Sequence, residues 1–246
     1  MKILVCISKS PDTTTKIAFT DNDTKFNETG VQYIVNPYDE WYALVRALEL
    51  TETQGGTVTT ITVGTAADEP VIRKALAIGA TDAIRIDAEA SDAFFVAKQI
   101  ATYAKDKAYD LILSGKETID HNRAQVGGMI AEFLDLPFVS MAEKMDVTGK
   151  VATLATEIPG GSEVVEVDLP AVISCAKGMA EQRIPNMRGI MAARTKPLTV
   201  IPAVESAKMT SIKKFALPPA KSACKMVSAD NPEELISLLH NEAKII

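Results

Sequence analysis

Hydrophobic and polar positions alternate between two patterns over the first two-thirds of the chain. Short apolar runs bounded by turn residues read as strands: ILVCIS at 3–8, TVTTITVG at 57–64, DAIRID at 82–87 and DLILSG at 110–115. Between them lie longer stretches whose apolar residues recur at helical spacing. In NPYDEWYALVRALEL, Trp41, Leu44, Val45 and Leu48 share one face. Asn36 stands there as N-cap and Pro37 at the first helical position, with acids in the first turn where the helix dipole favours them. DEPVIRKALAIGA stops at Gly79, SDAFFVAKQIATYAKDK supplies a third helix, and a fourth runs from about Asn122–Arg123 to Asp135. Strands and helices alternating at these lengths predict parallel pairing with helices on both faces. The fold class is α/β: a doubly wound, mostly parallel sheet, Rossmann-like, in three α/β/α layers.

Later the pattern changes twice. KVATLATEI and SEVVEVDL flank PGG as two alternating runs and predict an added β-hairpin, and PAVISCA at 170–176 reads as one more sheet strand. After Lys177 no period is sustained. GMAEQRIPNMRGIMAARTKPL mixes basic residues with two prolines, and FALPPAKS is proline-rich. NPEELISLLHNEA forms a short final helix, with Asp230 or Asn231 as cap and Pro232 at its start. The division is an α/β domain over 1–180 and an extended C-terminal arm over 181–246; so long an irregular segment suits the clasping of a partner.

Composition narrows the function. The 246 residues are 47% hydrophobic and 24% charged, enough for a sizeable core in an ordinary globular protein. A net charge of -6 argues against nucleic-acid binding, which needs a basic surface. No apolar run approaches the roughly 20 residues that span a bilayer, and MKILVCISKSPD reads as a first strand rather than a signal peptide. Cys6, Cys175 and Cys224 are odd in number and widely spaced, which fits reduced thiols in a cytoplasmic protein and not a metal or disulfide framework. No nucleophile elbow, zinc-protease or P-loop motif occurs, and His121 and His240 lie far apart, so the chain has no catalytic residues of its own to show.

The richest polar stretch is GKETIDHNRAQVGGM, 115–129. It joins a strand to a helix, the place where doubly wound sheets bind ligands. A helix starting near 122–123 leaves amides over about residues 122–126 free to face an anion, Lys116 and Arg123 add positive charge, and Gly127 and Gly128 permit close approach. The same residues equally suit a plain turn in which Asp120 or Asn122 caps the helix. VNPYDE at 35–40 and VGTAADE at 63–69 are two further strand-to-helix turns, and three together can surround a nucleotide. In the arm, Met179, Met187 and Met191 suit either a core or an adaptable docking anchor.

Six pieces in order resemble one family, the beta subunits of electron transfer flavoproteins: NPYDEWYALVRALEL, IRKALAIGATDAIRI, DLILSGKETID, GMIAEFLDLP, EIPGGSEVVEVDLPAVIS and RIPNMRGIMAARTKPL. The resemblance implies a heterodimer with an alpha subunit that carries electrons from acyl-CoA or related flavin dehydrogenases to a quinone oxidoreductase. It implies FAD held mainly by the alpha subunit and a structural AMP in the beta subunit. Positions matching the family's AMP site are Cys6, Asn36, Pro37, Tyr38, Asp39, Val63, Gly115, Lys116, Glu117, Thr118, Ile119, Asp120, His121, Asn122, Arg123, Ala124, Gln125 and Val126. The matching partner-docking loop contains Arg183, Ile184, Pro185, Asn186, Met187, Arg188, Gly189, Ile190 and Met191 and continues to Ala193, with Met187 where leucine is usual. Two places depart from the pattern. NRAQVGGM replaces the D-x-N-Q-T-G-Q of AMP-type members and is closer to bifurcating members, which hold a second FAD at this site; Pro159 stands where aspartate is usual. AMP is the first expectation and FAD at the same site the alternative. A nucleotide-binding stress or sensor module, the next alternative, would lack the basic arm, and a nucleotide-dependent enzyme comes third.

Overall fold

The computed structural model describes residues 1–221 and 223–246. Strand β1 (Lys2–Cys6) opens the chain, its Ile3 to Cys6 all buried. Four short strands follow, β2 (Lys9–Pro11), β3 (Phe19–Thr20), β4 (Lys25–Phe26) and β5 (Tyr33–Val35), with β2 paired to β5 and β3 to β4. Then come α1 (Asp39–Gln54), β6 (Thr57–Gly64), a 3-10 turn (Ala66–Asp68), α2 (Glu69–Ile78), β7 (Asp82–Asp87), α3 (Ala93–Ala104), β8 (Leu111–Gly115) and α4 (Val126–Leu134). The remainder is β9 (Phe138–Thr148), β10 (Val151–Ile158), β11 (Gly161–Asp168), β12 (Ala171–Cys175), α5 (Met187–Ala193), β13 (Leu198–Pro202) and α6 (Pro232–Ser237), which continues as a π-type turn over Leu238–Ala243.

Nine strands form one sheet in the order β11-β10-β9-β12-β8-β1-β6-β7-β13. From β9 through β13 every neighbouring pair is parallel, and β9, β10 and β11 form an antiparallel meander at one end. Period-two alternation sorts the core into two layers. Ile3, Val5, Leu111 and Leu113 face Leu44, Leu48 and Leu76 of α1 and α2. Leu4, Ile61, Ile84 and Ile112 face Ile100 and Ile130 of α3 and α4. The doubly wound α/β/α architecture is therefore present, and so is the expected hairpin. Its turn places Pro159 and Gly160 centrally with Gly160 at φ 89, the pair a type II turn requires.

Four expectations need correction. The first strand ends at Cys6, not residue 8. Helix α1 starts at Asp39 with Tyr38 at the N-cap position, so Asn36 is not its cap and Pro37 is not its first residue. Helix α4 starts at Val126 with Gln125 as N-cap, because Asn122 and Ala124 adopt left-handed backbone (φ 48 and 50) that no helix continues through. Finally, the arm is not uniformly irregular: it holds α5 and the edge strand β13, which pairs with β7 from Leu198↔Ala83 to Pro202↔Asp87. Pro202 is tolerated because an edge strand has a side with no partner.

Beyond β13 the chain is pinned at points. Gln99 on α3 both donates to Val204 O and accepts from Val204 N, each at 2.8 Å. Asp92 caps α3 through Phe95 N at 2.8 Å and also accepts the amides of Met209 and Thr210 at 2.6 and 2.7 Å. Phe215 stacks on Phe19, centroids 4.9 Å apart. Helix α6 has no buried residue.

Candidate functional site

The chain steps outward from β1 to β6 and β7, then returns to β8 on the other side of β1. The topological switch point therefore lies at the carboxyl ends of β1 and β8, where such sheets bind ligands. The strand-to-helix turns meet there and are joined by side chains. Asn36, fully buried, donates Nδ2–H to Glu117 O at 3.0 Å and accepts from Ile119 N at 3.0 Å. Glu117 N in turn donates to Asp39 Oδ2 at 3.3 Å. Buried Glu40 accepts from Ser8 N and Ser8 Oγ, both at 2.7 Å, fastening the end of β1 to the first turn of α1. Gly115 is required by this closeness, since a Cβ would lie 2.8 Å from Glu40 Cγ and 2.9 Å from Glu40 N. The turn after β6 is fixed by Asp68, which accepts from Thr65 N at 2.7 Å and pairs with Lys9 Nζ at 2.7 Å.

Burial governs the electrostatics. Desolvation, with Asp120 and Asp39 adding repulsion, pushes the Glu40 carboxyl up to about 8 despite the two bonds from Ser8. Burial raises Asp39 as well. The Lys116 ammonium is raised by Glu117, 3.1 Å away, so its charge is largely answered inside the turn. Burial pushes the thiols of Cys6 and Cys175 up, which keeps them protonated and inert. Cys6 and Val63, at the ends of β1 and β6, have their side chains buried in the core.

The stretch 115–126 divides in two. Gly115 to Ile119 is half-buried and locked to α1, whereas Asp120, His121, Asn122, Arg123, Ala124 and Gln125 are exposed. His121 lies 3.8 Å from Asp120. The free first-turn amides of α4 belong to Val126, Gly127 and Gly128, so the expected range of 122–126 is met only at Val126. Gly127 is fixed by packing, because a Cβ would stand 2.6 Å from Ser114 Oγ; at Gly128 it would meet Phe138 at an ordinary 3.5 Å. Arg123 forms no ion pair among the described residues and is the cation left available beside these amides.

The docking-loop positions form a second, separate feature. Arg183 pairs with Glu52 at 2.6 and 3.1 Å, and Trp41 Nε1 donates to Arg183 O at 3.2 Å. Asn186 caps α5 by accepting from Gly189 N at 2.9 Å, and Gly189 lies so close to Ala77 O that a Cβ would collide with it. Arg73 on α2 donates to Ala193 O and Lys196 O at 2.8 and 2.7 Å. Lys196 returns the contact, donating to Leu76 O, Gly79 O and Ala80 O at 2.9, 3.2 and 2.6 Å. Held at both ends, the segment turns Ile184 and Met187 outward, 80% and 72% exposed, with Ile190 and Met191 beside them. Met179 is buried core, whereas Met187 and Met191 are exposed. Glu40, Arg73 and Lys196 carried no signal in the sequence: an acid in a first turn and scattered cations look like surface.

A rigid α/β body with fused turns at its switch point and an apolar segment displayed on a clamped helix is the class of molecule seen here. A family model described as the electron transfer flavoprotein domain matches residues 23–206. The electron transfer flavoprotein subunit beta of Bacillus subtilis is 34% identical, all of each chain being covered. That of Syntrophomonas wolfei is 36% identical, with 100% of this chain and 98% of the relative covered. The caffeyl-CoA reductase-Etf complex subunit CarD of Acetobacterium woodii is 31% identical over 99% and 98%. The chain belongs to the electron transfer flavoprotein family, on its beta-subunit side. Among the described residues no helix is long and apolar enough to cross a membrane, and no group of three His, Cys, Asp or Glu side chains is arranged to hold a metal ion.

Proposed function

We propose that the chain is the beta subunit of a heterodimeric electron transfer flavoprotein that accepts electrons from acyl-CoA or related flavin dehydrogenases and passes them to a quinone oxidoreductase. The observation that supports this reading is the separation of two features in one fold: strand-to-helix turns tied together at the switch point and an outward apolar segment clamped to α2. The proposed crevice ligand is AMP. Its phosphate would face the first-turn amides of Val126, Gly127 and Gly128 and the Arg123 guanidinium. The Asn36–Asp39 turn and the backbone at Val63 would border the rest. The crevice suits a neutral or hydrogen-bonding group better than a phosphate near Asp39, Glu40 and Asp120, where three carboxyls gather.

FAD, held mainly by the alpha subunit, supplies the redox chemistry when bound. This chain's part is to bind, orient and present. A second FAD in place of AMP is the alternative, supported by NRAQVGGM standing where AMP-type members carry D-x-N-Q-T-G-Q. Co-production with an alpha subunit, followed by mass spectrometry of the nucleotides released on denaturation, tests the reading. One AMP and one FAD per heterodimer are expected. A beta chain that carries stoichiometric FAD by itself overturns the AMP assignment.

A further inference from the structure

Between α2 and α5 lies a groove of about 560 Å³. Pro70, Ala77, Pro185 and Ile190 form its apolar floor and walls, and Arg73, Lys74 and Arg194 stand around them. No acid lines it. Arg73 spends hydrogen bonds on the carbonyls of Ala193 and Lys196, and Lys74 lies 4.9 Å from the Trp41 ring centroid and near enough to Asp12 to help hold that carboxyl low; among the described residues none of Arg73, Lys74 and Arg194 forms an ion pair. The surrounding sequence continues this field: residues 182–204 contain no Asp or Glu, in a chain whose net charge is -6. A cationic, apolar-floored recess is thus set into an otherwise acidic protein.

We infer that this groove receives an acidic segment of the electron-donating dehydrogenase, an apolar side chain flanked by carboxylates, alongside the contact made by Met187. The inference rests on the docking role proposed above. Two arguments choose this occupant. Continuity is the first: α5 forms one wall of the groove and displays Met187 and Met191 on its outer side, so a protein seated on those residues covers the groove as well. Charge is the second. An acidic patch on the partner gains from three cations while its apolar residue fills the floor, and a second copy of this chain is left as an outcome of the test. The groove's mouth has room for more than one side chain, and the clamp through Arg73 and Lys196 keeps its walls in place before the partner arrives.

The test measures flavin reduction in the co-produced heterodimer by a substrate-reduced acyl-CoA dehydrogenase, at about 20 mM and about 500 mM salt. The Lys74→Glu/Arg194→Glu double variant is expected to lower the second-order rate about tenfold or more at low salt, with the gap narrowing at high salt, while flavin content, nucleotide content and Tm stay as in the wild type. Arg194→Lys is expected to keep the wild-type rate. Met187→Glu, in contrast, should slow reduction at both salt levels, so the two contacts are read separately. An unchanged low-salt rate in the double variant overturns the inference and leaves the docking role of Met187 standing. Loss of the alpha subunit from the double variant also overturns it, making the groove a subunit interface, as does a change in self-association by ultracentrifugation. If the dehydrogenase does not reduce the wild-type complex, the proposed function fails and this inference with it.

Discussion

Glu40 holds Ser8 with both carboxylate oxygens, Oε2 accepting from the backbone N–H and Oε1 from the hydroxyl, each at 2.7 Å. This one contact joins the end of β1 to the start of α1 at the switch point. It is also buried beside Asp39 and Asp120, so the carboxyl retains its proton to about pH 8.

Stability should therefore fall as pH rises across that window. The folded state binds the Glu40 proton more tightly than the unfolded chain, whose carboxyl titrates near 4.5. The resulting stabilisation is fully present below that value and is lost as pH climbs through about 8. Glu40→Gln mimics the protonated form. Thermal melts over this range should show Tm of the wild type declining more steeply than that of the variant. Parallel curves would mean Glu40 ionises normally.

Asn36→Ala should destabilise the protein by about 1–3 kcal/mol, because Glu117 O and Ile119 N lose their partners in a half-buried turn. The same variant should retain less nucleotide, since the 115–119 turn then keeps only the Glu117 N–Asp39 bond to the start of α1. Urea denaturation and nucleotide release read the two effects separately.

Gly115→Ala should cost about 1–3 kcal/mol or more, as the new methyl meets the backbone of Glu40, which has no room to yield. Gly161→Ala is the matched control: nothing lies within 4 Å of its Cβ position. Its effect should stay within about 0.5 kcal/mol. Equal losses in the two variants would show that the β8–α1 approach is slack.

Met187→Glu should leave folding, assembly and flavin content intact, because the side chain is 72% exposed and supports nothing within this chain. It should slow reduction by an acyl-CoA dehydrogenase by an amount corresponding to at least about 2 kcal/mol if the side chain enters an apolar pocket of the partner. Stopped-flow reduction of the heterodimer provides the measurement.

Arg73→Met should loosen α5 without unfolding the sheet. Two backbone carbonyls, of Ala193 and Lys196, lose their donor while Lys196 still reaches α2. Amide hydrogen exchange over residues 187–196 should accelerate, with β1, β6 and β8 unchanged. Protection that stays constant would place the rigidity of α5 in its packing alone.

Much of this molecule was legible in its sequence, for reasons that are local. Period-two runs such as TVTTITVG and helical spacing through Trp41, Leu44, Val45 and Leu48 specify elements because burial of one face selects them. The Pro159–Gly160 turn is equally local, since its backbone angles follow from those two residue types. The family resemblance likewise lay in short segments. What only the tertiary structure decided depends on chains meeting across long separations. Asn36 had the look of a helix cap, yet its amide serves Glu117 and Ile119, more than eighty residues on, because β1 and β8 are neighbours in the sheet. Gly115 and Gly127 look alike in a glycine-bearing turn, and the obstacle that excludes a side chain differs, Glu40 for one and Ser114 for the other. The aperiodic LTVIP became a strand because β7 left an edge free for it. Arg73 and Lys196 were two unremarkable cations until α5 settled on α2 and turned their charges toward each other's backbone. Periodicity records which face a segment buries; it does not record which distant carbonyl a buried polar side chain will satisfy, and that is settled only when the layers close.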